Sequence, residues 1–450
     1  MATKIIPREL KDWSEINKMD PFWTGIDLSR PDINFGIHTF NGELWTSGYV
    51  GVGRIYDKRM NPLRTEGKEH IVVIRSQYGM DPWYMLEKVM TDAEYDDYQE
   101  ELRLNNKYLY RVFYDQPMIK LEQDQKNDGD LLFALSYINS CYSLCKKGIK
   151  KNMLYKEENY NAKIRGKIDV KKNIRMNTSH GRNDRFYCKY IDFTEDNIEN
   201  RIVKATLIRC KKIIEQKFEI HSEIIRRTIY CMNVLRHVKN VQIRNKDFNS
   251  VSVNGLYTYY KPLLQQAKCI LGHKYHSYKA DNGKILAKSV FTIPYMINME
   301  AVFEFYTRIV IKEYLDGSKY YIDSYSKKLF LEKGVKKESD VKRGIHLMPY
   351  CIPDIIVRDS TSDEIVIVLD AKYKSHVRAT RSDSHQLLTY VVLTGAPRCG
   401  FIFPGVLTEV KPMRTDDYLE LQSPLHSKLK YYELVLSKEP DYNEIEKIFR

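Results

Sequence analysis

The sequence predicts a mixed fold, α+β with α/β character, in three segments. These are a β-rich N-terminal domain over 1–127, a mainly helical central region over 128–288, and a C-terminal domain over 289–450 built as a mixed sheet flanked by helices. Three observations predict it. Across 348–374, two apolar, β-branched runs flank a short polar stretch, the pattern of an antiparallel hairpin. In the central region, residues 131–147 read as amphipathic, and apolar positions recur at helical spacing across 198–208. In the first segment, alternating stretches are punctuated by Gly48, Gly51 and Gly53. With 450 residues, 43% hydrophobic and 29% charged, the chain can bury more than one core and is not of disordered composition.

In the first segment, residues 43–55 alternate and carry glycines suited to bulges or close backbone approach. Residues 69–75 give a second strand, and Asp81 followed by Pro82 reads as the capped start of a helix. Gly51-x-Gly53 is no phosphate loop, and no Gly-x-x-x-x-Gly-Lys-Ser/Thr occurs anywhere. The segment is either a structural β-domain or a docking surface for another protein. The polar residues 122–130 form the clearest linker of the first half.

In the central region, residues 131–147 read as an amphipathic helix with a basic end at Lys146, Lys147, Lys150 and Lys151. Strands are expected at 164–170 and 184–190, then a long helix from Ile198 with Thr194 as its cap, and further helices at 224–227 and 232–235. His273, His276 and Cys269 lack the second pair that a zinc site requires, and so do Cys141 and Cys145. The eight cysteines therefore read as buried, reduced thiols.

The C-terminal domain opens with an apolar-faced helix over 295–308 that carries Glu300 and Glu304 one turn apart. Glu304 is the one expected to face the hairpin. Strands are expected at 320–323, 328–331 and, beyond the hairpin, 398–404.

The hairpin has a chemistry. With its turn near Ser362, Asp354 lies directly across from Asp370, and alternation puts Lys372 on the face of Asp370. Like charges opposed across a sheet destabilise it unless a cation lies between them. Mg²⁺ suits such a place, since it takes hard oxygen ligands and keeps sites open for water and phosphate. Lys372 would orient or deprotonate the attacking water, or neutralise the developing charge. The acid-x-lysine triplet by itself selects nothing, because others begin at Glu9, Asp124, Asp169, Asp340 and Glu409. What sets Asp370-Ala371-Lys372 apart is its apolar strand, its upstream acid, and the amphipathic helix that follows. That helix is expected to start at a cap on Ser382 or Asp383 and to hold Gln386 and Tyr390 on one face.

Pro353-Asp354…Asp370-Ala371-Lys372, followed by Gln386 and Tyr390, resembles the core of the PD-(D/E)XK nuclease superfamily. Further pieces are Gly48-Tyr49-Val50-Gly51, Arg165-Gly166-Lys167-Ile168, Asn200-Arg201 with Lys204-Ala205-Thr206-Leu207, and Asn298-Met299-Glu300 with Phe303-Glu304. Together they make the chain similar, over most of residues 45–405, to the McrC family, the nuclease subunits of McrBC-type 5-methylcytosine-specific restriction systems. The resemblance implies a Mg²⁺-dependent DNA endonuclease, with Mn²⁺ able to substitute. Asp354, Asp370 and the Ala371 backbone carbonyl would hold the metal with Glu304 as a further ligand, Lys372 would assist the water, and Gln386 and Tyr390 would support the site. It also implies a partner: an AAA+ GTPase ring of the McrB kind, contacted through the N-terminal domain, which binds the GTP, moves on the DNA and recognises it.

Lys and Arg number 72 against 59 Asp and Glu, and the net charge of +13 agrees with a polyanionic partner such as double-stranded DNA. Two rivals share these features: a stand-alone RecB-like nuclease acting on ends, and a basic adaptor that binds DNA beside an AAA+ ring without cutting it. No run approaches the roughly 20 apolar residues of a membrane span, and the N-terminus lacks an apolar core of signal-peptide length. The expectation is a soluble, cytoplasmic protein.

Overall fold

The computed structural model describes residues 5–121, 129–278, 290–324, 329–330, 350–375, 380–405, 418–421, 429–437 and 442–449. The chain divides into two compact units, one made of Met1–Gly129 with Ser289–Arg450 and the other of Asp130–Lys288. Of the linker expected at 122–130, residues 122–128 lie outside the described residues, and Gly129 and Asp130 instead open the helix Gly129–Lys147.

In the first unit, one sheet runs in the order Ile5–Lys11, Lys68–Arg75, Tyr49–Arg54, Tyr295–Asn298, Tyr110–Val112. The first pair is parallel and the others are antiparallel. Residues 1–127 and 289–450, set apart in the sequence reading, share this unit because Tyr295–Asn298 fills the place between two N-terminal strands. That placement corrects the helix expected over 295–308. Sheet pairing claims its first four residues, and the helix is Met299–Leu315, capped by the Asn298 side chain, which accepts from the Ala301 amide. Gly51 sits against the same strand with φ of 147°, and a Cβ there would overlap the Tyr295 carbonyl oxygen. The sheet packs on a core that includes Phe22, Trp23, Phe35, Ile37, Ile55 and Val72. The expected cap at Asp81 is present: its side chain accepts from the Trp83 and Tyr84 amides at the start of helix Pro82–Thr91.

The same unit holds a second, six-stranded sheet in the order Tyr320–Ile322, Ile355–Asp359, Ile365–Ala371, Arg398–Pro404, Leu429–Leu436, Leu419–Leu421. It is mixed: Ile365–Ala371, Arg398–Pro404 and Leu429–Leu436 run parallel and the outer pairings are antiparallel. Parallel neighbours need a crossover, and helix Arg381–Thr394 supplies the one between Ile365–Ala371 and Arg398–Pro404. Leu387 and Val391 on this helix pack on Cys399, Phe401, Phe403 and Leu429. Gly400 is required by closeness rather than by φ, since a Cβ there would stand 2.5 Å from the Tyr432 carbonyl oxygen of the adjacent strand.

The second unit combines helices Gly129–Lys147, Ile198–Ile214, Glu223–Val234 and Tyr260–Tyr278 with a three-stranded sheet. The sheet is a long ribbon of Asn152–Asn161 against Arg185–Thr194, edged by Lys167–Ile168. The strand expected over 164–170 shrinks to those two residues because the Asp169 side chain caps a short helix, Val170–Met176. The long helix is capped by Asn197, whose side chain accepts from the Asn200 amide, and not by Thr194, which still belongs to the ribbon. The side chains of His273 and His276 lie outside the described residues. Among those described, no helix is long and apolar enough to cross a membrane.

Candidate active site

The hairpin forms as its sequence pattern directs. Ile355 faces Leu369, Ile356 faces Val368 and Val357 faces Ile367, with a bulge between Val357 and Arg358. The turn is closed by the Asp359 amide on the Glu364 carbonyl at 3.0 Å, while Asp359 Oδ1 accepts from the Thr361 amide and Asp363 takes a left-handed φ of 58°. Continuing the register one step places Asp354 opposite Asp370, and there the Ala371 amide donates to Asp354 Oδ2 at 2.8 Å.

Asp370 is fully buried, and neither of its oxygens receives a hydrogen bond. The Lys372 ammonium lies 2.7 Å from Asp370 Oδ2, an ion pair without hydrogen-bond direction. An isolated carboxylate taken out of water is costly. Burial accordingly pushes the Asp370 carboxyl above its usual range, against the pull of Lys372. Desolvation pushes Asp354 up as well, well above its usual range, and the charges of Glu304 and Asp370 add to it. Lys372 moves the other way from a desolvated lysine: the carboxylates outweigh burial and hold it firmly protonated. Glu304, rather than the exposed Glu300, is thus the acid of helix Met299–Leu315 whose charge acts on Asp354.

The helix after the hairpin closes the other side. Lys372 Nζ donates to Gln386 Oε1 at 3.0 Å, Gln386 Nε2 donates to the Tyr390 hydroxyl at 2.8 Å, and that hydroxyl donates to the Ile352 carbonyl at 3.3 Å. The helix begins two or three residues earlier than expected. Its cap is Thr380, in a reciprocal capping box with Asp383, and not Ser382 or Asp383 itself. Asp383 also pairs with Lys374 at 2.5 Å. Asp354, Asp370, Lys372, Gln386 and Tyr390 therefore meet in one continuous arrangement.

Two contacts had no sequence signal. The Tyr373 hydroxyl donates to Asp12 Oδ2 at 2.9 Å and lies 2.7 Å from Ser76 Oγ. Asp12 is fully buried, its Oδ1 accepts from the Gln77 amide, and desolvation raises its carboxyl to about 6. Nothing near Asp12 marks it, because its partner stands 361 positions away.

The model of the family described as McrBC 5-methylcytosine restriction system component matches residues 101–404 of this chain. The chain belongs to the McrBC family. The matched span includes the hairpin, the following helix and the whole of Asp130–Lys288. No curated protein matches the chain. Among solved structures, it is similar to a chain of the refined half-complex from a tetradecameric assembly of Thermococcus gammatolerans McrB AAA+ hexamers with bound McrC. The identity there is 14%, with 98% of each chain covered and a TM-score of 0.40. It is also similar to a chain of the Thermococcus gammatolerans McrBC complex, at 12% identity, 69% of this chain, 88% of that chain and a TM-score of 0.31.

The donor set of this McrBC-family site fits a hard divalent cation. Two carboxylates oppose each other, the buried one has both oxygens without a hydrogen-bond donor, and both are destabilised as bare anions. Glu304 reaches Asp354 through its charge rather than as part of a tight triad. Among the described residues, the one set of three metal-ligating side chains whose donor atoms all lie within 4.8 Å is instead Cys141, Cys145 and Cys231.

Proposed function

We propose that this McrBC-family chain is the DNA endonuclease subunit of its restriction system, with a PD-(D/E)XK site that hydrolyses phosphodiesters and uses Mg²⁺. The observation that carries this reading is the buried Asp370 carboxylate, without hydrogen-bond donors, opposite Asp354 and 2.7 Å from Lys372. Asp354, Asp370 and the Ala371 carbonyl would hold the cation, with Glu304 beside them as the candidate further ligand. When bound, Mg²⁺ supplies Lewis-acid stabilisation of charge developing on the phosphodiester and lowers the pKa of a coordinated water.

The remaining work belongs to the chain. Lys372 is kept protonated by its carboxylates, which suits it to donate to the attacking water or to a phosphate oxygen and unsuits it as a base. Gln386 fixes the Lys372 ammonium by accepting from it, and Tyr390 in turn fixes Gln386. The Ala371 amide pins Asp354 Oδ2, so the Asp354 carboxylate keeps its aim.

The proposal extends to assembly. The chain would act with an AAA+ GTPase ring of the McrB kind, docking through its N-terminal region, while the partner binds GTP and recognises and moves the DNA. Its net charge of +13 supports a place beside DNA. The test is cleavage of methylated and unmethylated closed-circular plasmid with Mg²⁺, by the chain alone and with the AAA+ partner, with and without GTP. Cutting only with partner and GTP is the expected result. Cutting by the chain alone would replace the assembly reading with an independent nuclease, and no cutting in any arm would overturn the nuclease reading.

A further inference from the structure

Away from that site, helices Gly129–Lys147 and Glu223–Val234 bring three thiols together. Cys141 and Cys145 are one turn apart on the first helix and share a face. Cys231 comes from the second helix, far along the chain, so no paired cysteine spacing announces it. The three sulfur atoms lie within 4.8 Å of one another, and the side chains are 0%, 6% and 0% exposed.

We propose that Cys141, Cys145 and Cys231 form a three-thiolate site for a soft d¹⁰ metal ion, Zn²⁺ or Cu⁺, that clamps these two helices. Thiolate ligands select such ions over Mg²⁺, so the site is chemically separate from the carboxylate pair. Bonds of roughly 2.3 Å to one ion place three sulfurs about 3.8–4.0 Å apart, a spacing inside the 4.8 Å that bounds this cluster.

A charged neighbour agrees with this assignment. The Arg227 guanidinium acts on Cys231 with a favourable charge and offsets the net negative charge that three thiolates leave around a divalent ion. Arg227 is itself held from the other helix, by Asn139 Oδ1 at 2.8 Å and over the Tyr142 ring at 4.8 Å. The neighbouring Tyr260 hydroxyl is not a fourth ligand. It accepts from the Lys150 amide and donates to Asn200 Oδ1, both at 2.7 Å. The described residues thus offer three ligands, and binding displaces their thiol protons.

The experiment uses the full chain, stripped of metal by chelator under reducing conditions. It is titrated with Co²⁺ as a spectroscopic probe for Zn²⁺, and separately with Cu⁺ delivered from a competing chelator. One equivalent of Co²⁺ with thiolate-to-metal charge-transfer absorption, bleached by Zn²⁺, supports a zinc site. One equivalent of Cu⁺ that Zn²⁺ does not displace supports a copper site. Cys141→Ser and Cys231→Ser should each abolish binding, and Cys210→Ser, a buried cysteine outside the trio, should preserve it. Because the wild-type titration needs no variant, a variant that misfolds cannot obscure the result. Absence of charge transfer and of stoichiometric binding for both ions would overturn the proposal, as would a disulfide among the three in protein isolated without oxidant.

Discussion

The Lys372 ammonium stands 2.7 Å from Asp370 Oδ2, and the two side chains leave the same face of one strand end. Each is unfavourable alone in that setting: Asp370 is fully buried and Lys372 mostly so. Together they keep charge in a place where charge is expensive. Their roles can be separated experimentally.

Asp370→Asn should reduce plasmid cleavage by about three orders of magnitude or more, with the metal-free melting temperature little changed, because burial already disfavours the Asp370 charge and Lys372 keeps its bond to Gln386. Mg²⁺ should raise the melting temperature of the wild type and not of this variant. The wild-type shift should grow as pH rises, since both carboxyls are held above their usual range and must lose protons to bind metal. Thermal shift at several pH values, run beside the cleavage assay, checks all three outcomes. Retained cleavage in Asp370→Asn would sink the assignment.

Lys372→Met should give the complementary phenotype. Cleavage should fall by about 10²–10³, while the Mg²⁺-induced thermal shift persists, because the carboxylates remain. Loss of the shift would mean that Lys372 serves chiefly to hold the acids in place.

Gln386→Leu removes the acceptor at 3.0 Å from Lys372 and the donor to Tyr390. The side chain is exposed, so stability should change by less than about 0.5 kcal/mol. The cleavage rate should fall about 10-fold to 100-fold through a misplaced ammonium. Single-turnover kinetics with saturating DNA would separate this effect from weaker DNA binding.

Asp12 gives a pH signature. Its folded pKa is about 6 against an unfolded value near 3.8, so the folded state binds the proton more tightly. Its contribution is therefore fully present below about pH 4 and is lost as pH rises through 6, a change of about 3 kcal/mol. Asp12→Asn keeps an acceptor for the Gln77 amide and supplies a donor to Tyr373. It should be more stable than the wild type at pH 7.5 and show a smaller stability loss between pH 4 and 7. Denaturant midpoints at the two ends of that range decide it.

Gly400→Ala tests the second sheet. Its Cβ would meet the Tyr432 carbonyl oxygen at 2.5 Å, between two paired central strands. The expected cost is about 2–3 kcal/mol, read as a lower denaturation midpoint with the metal shift preserved in whatever remains folded.

The hairpin was legible because its information is local. Strand period, turn chemistry and the distance from Asp354 to Asp370 all lie within one short stretch, and the register follows from them. Gln386 and Tyr390 were legible for the same reason, since helical spacing alone places them together. Caps were read less well: Thr194 and Ser382 satisfy the residue preference, but Asn197 and Thr380 have the backbone position. Residues 295–298 were misread because the helical pattern continues through them, while the decision to pair was made by strands near residues 50 and 111. Asp12 with Tyr373, and Cys231 with Cys141, are contacts across the fold that carry no trace at either end of the sequence.

The strand Tyr295–Asn298 also sets a timetable. Tyr49–Arg54 and Tyr110–Val112 leave the ribosome early, but the strand that joins them follows Val112 only after the whole of Asp130–Lys288 has been made. At roughly 5–20 residues per second, the nascent sheet waits on the order of 10–40 s with two open edges. During that interval the chain is exposed to strand exchange and to chaperones in a way that the finished protein is not. Synthesis of the inserted unit is thus a built-in delay before the first sheet can close.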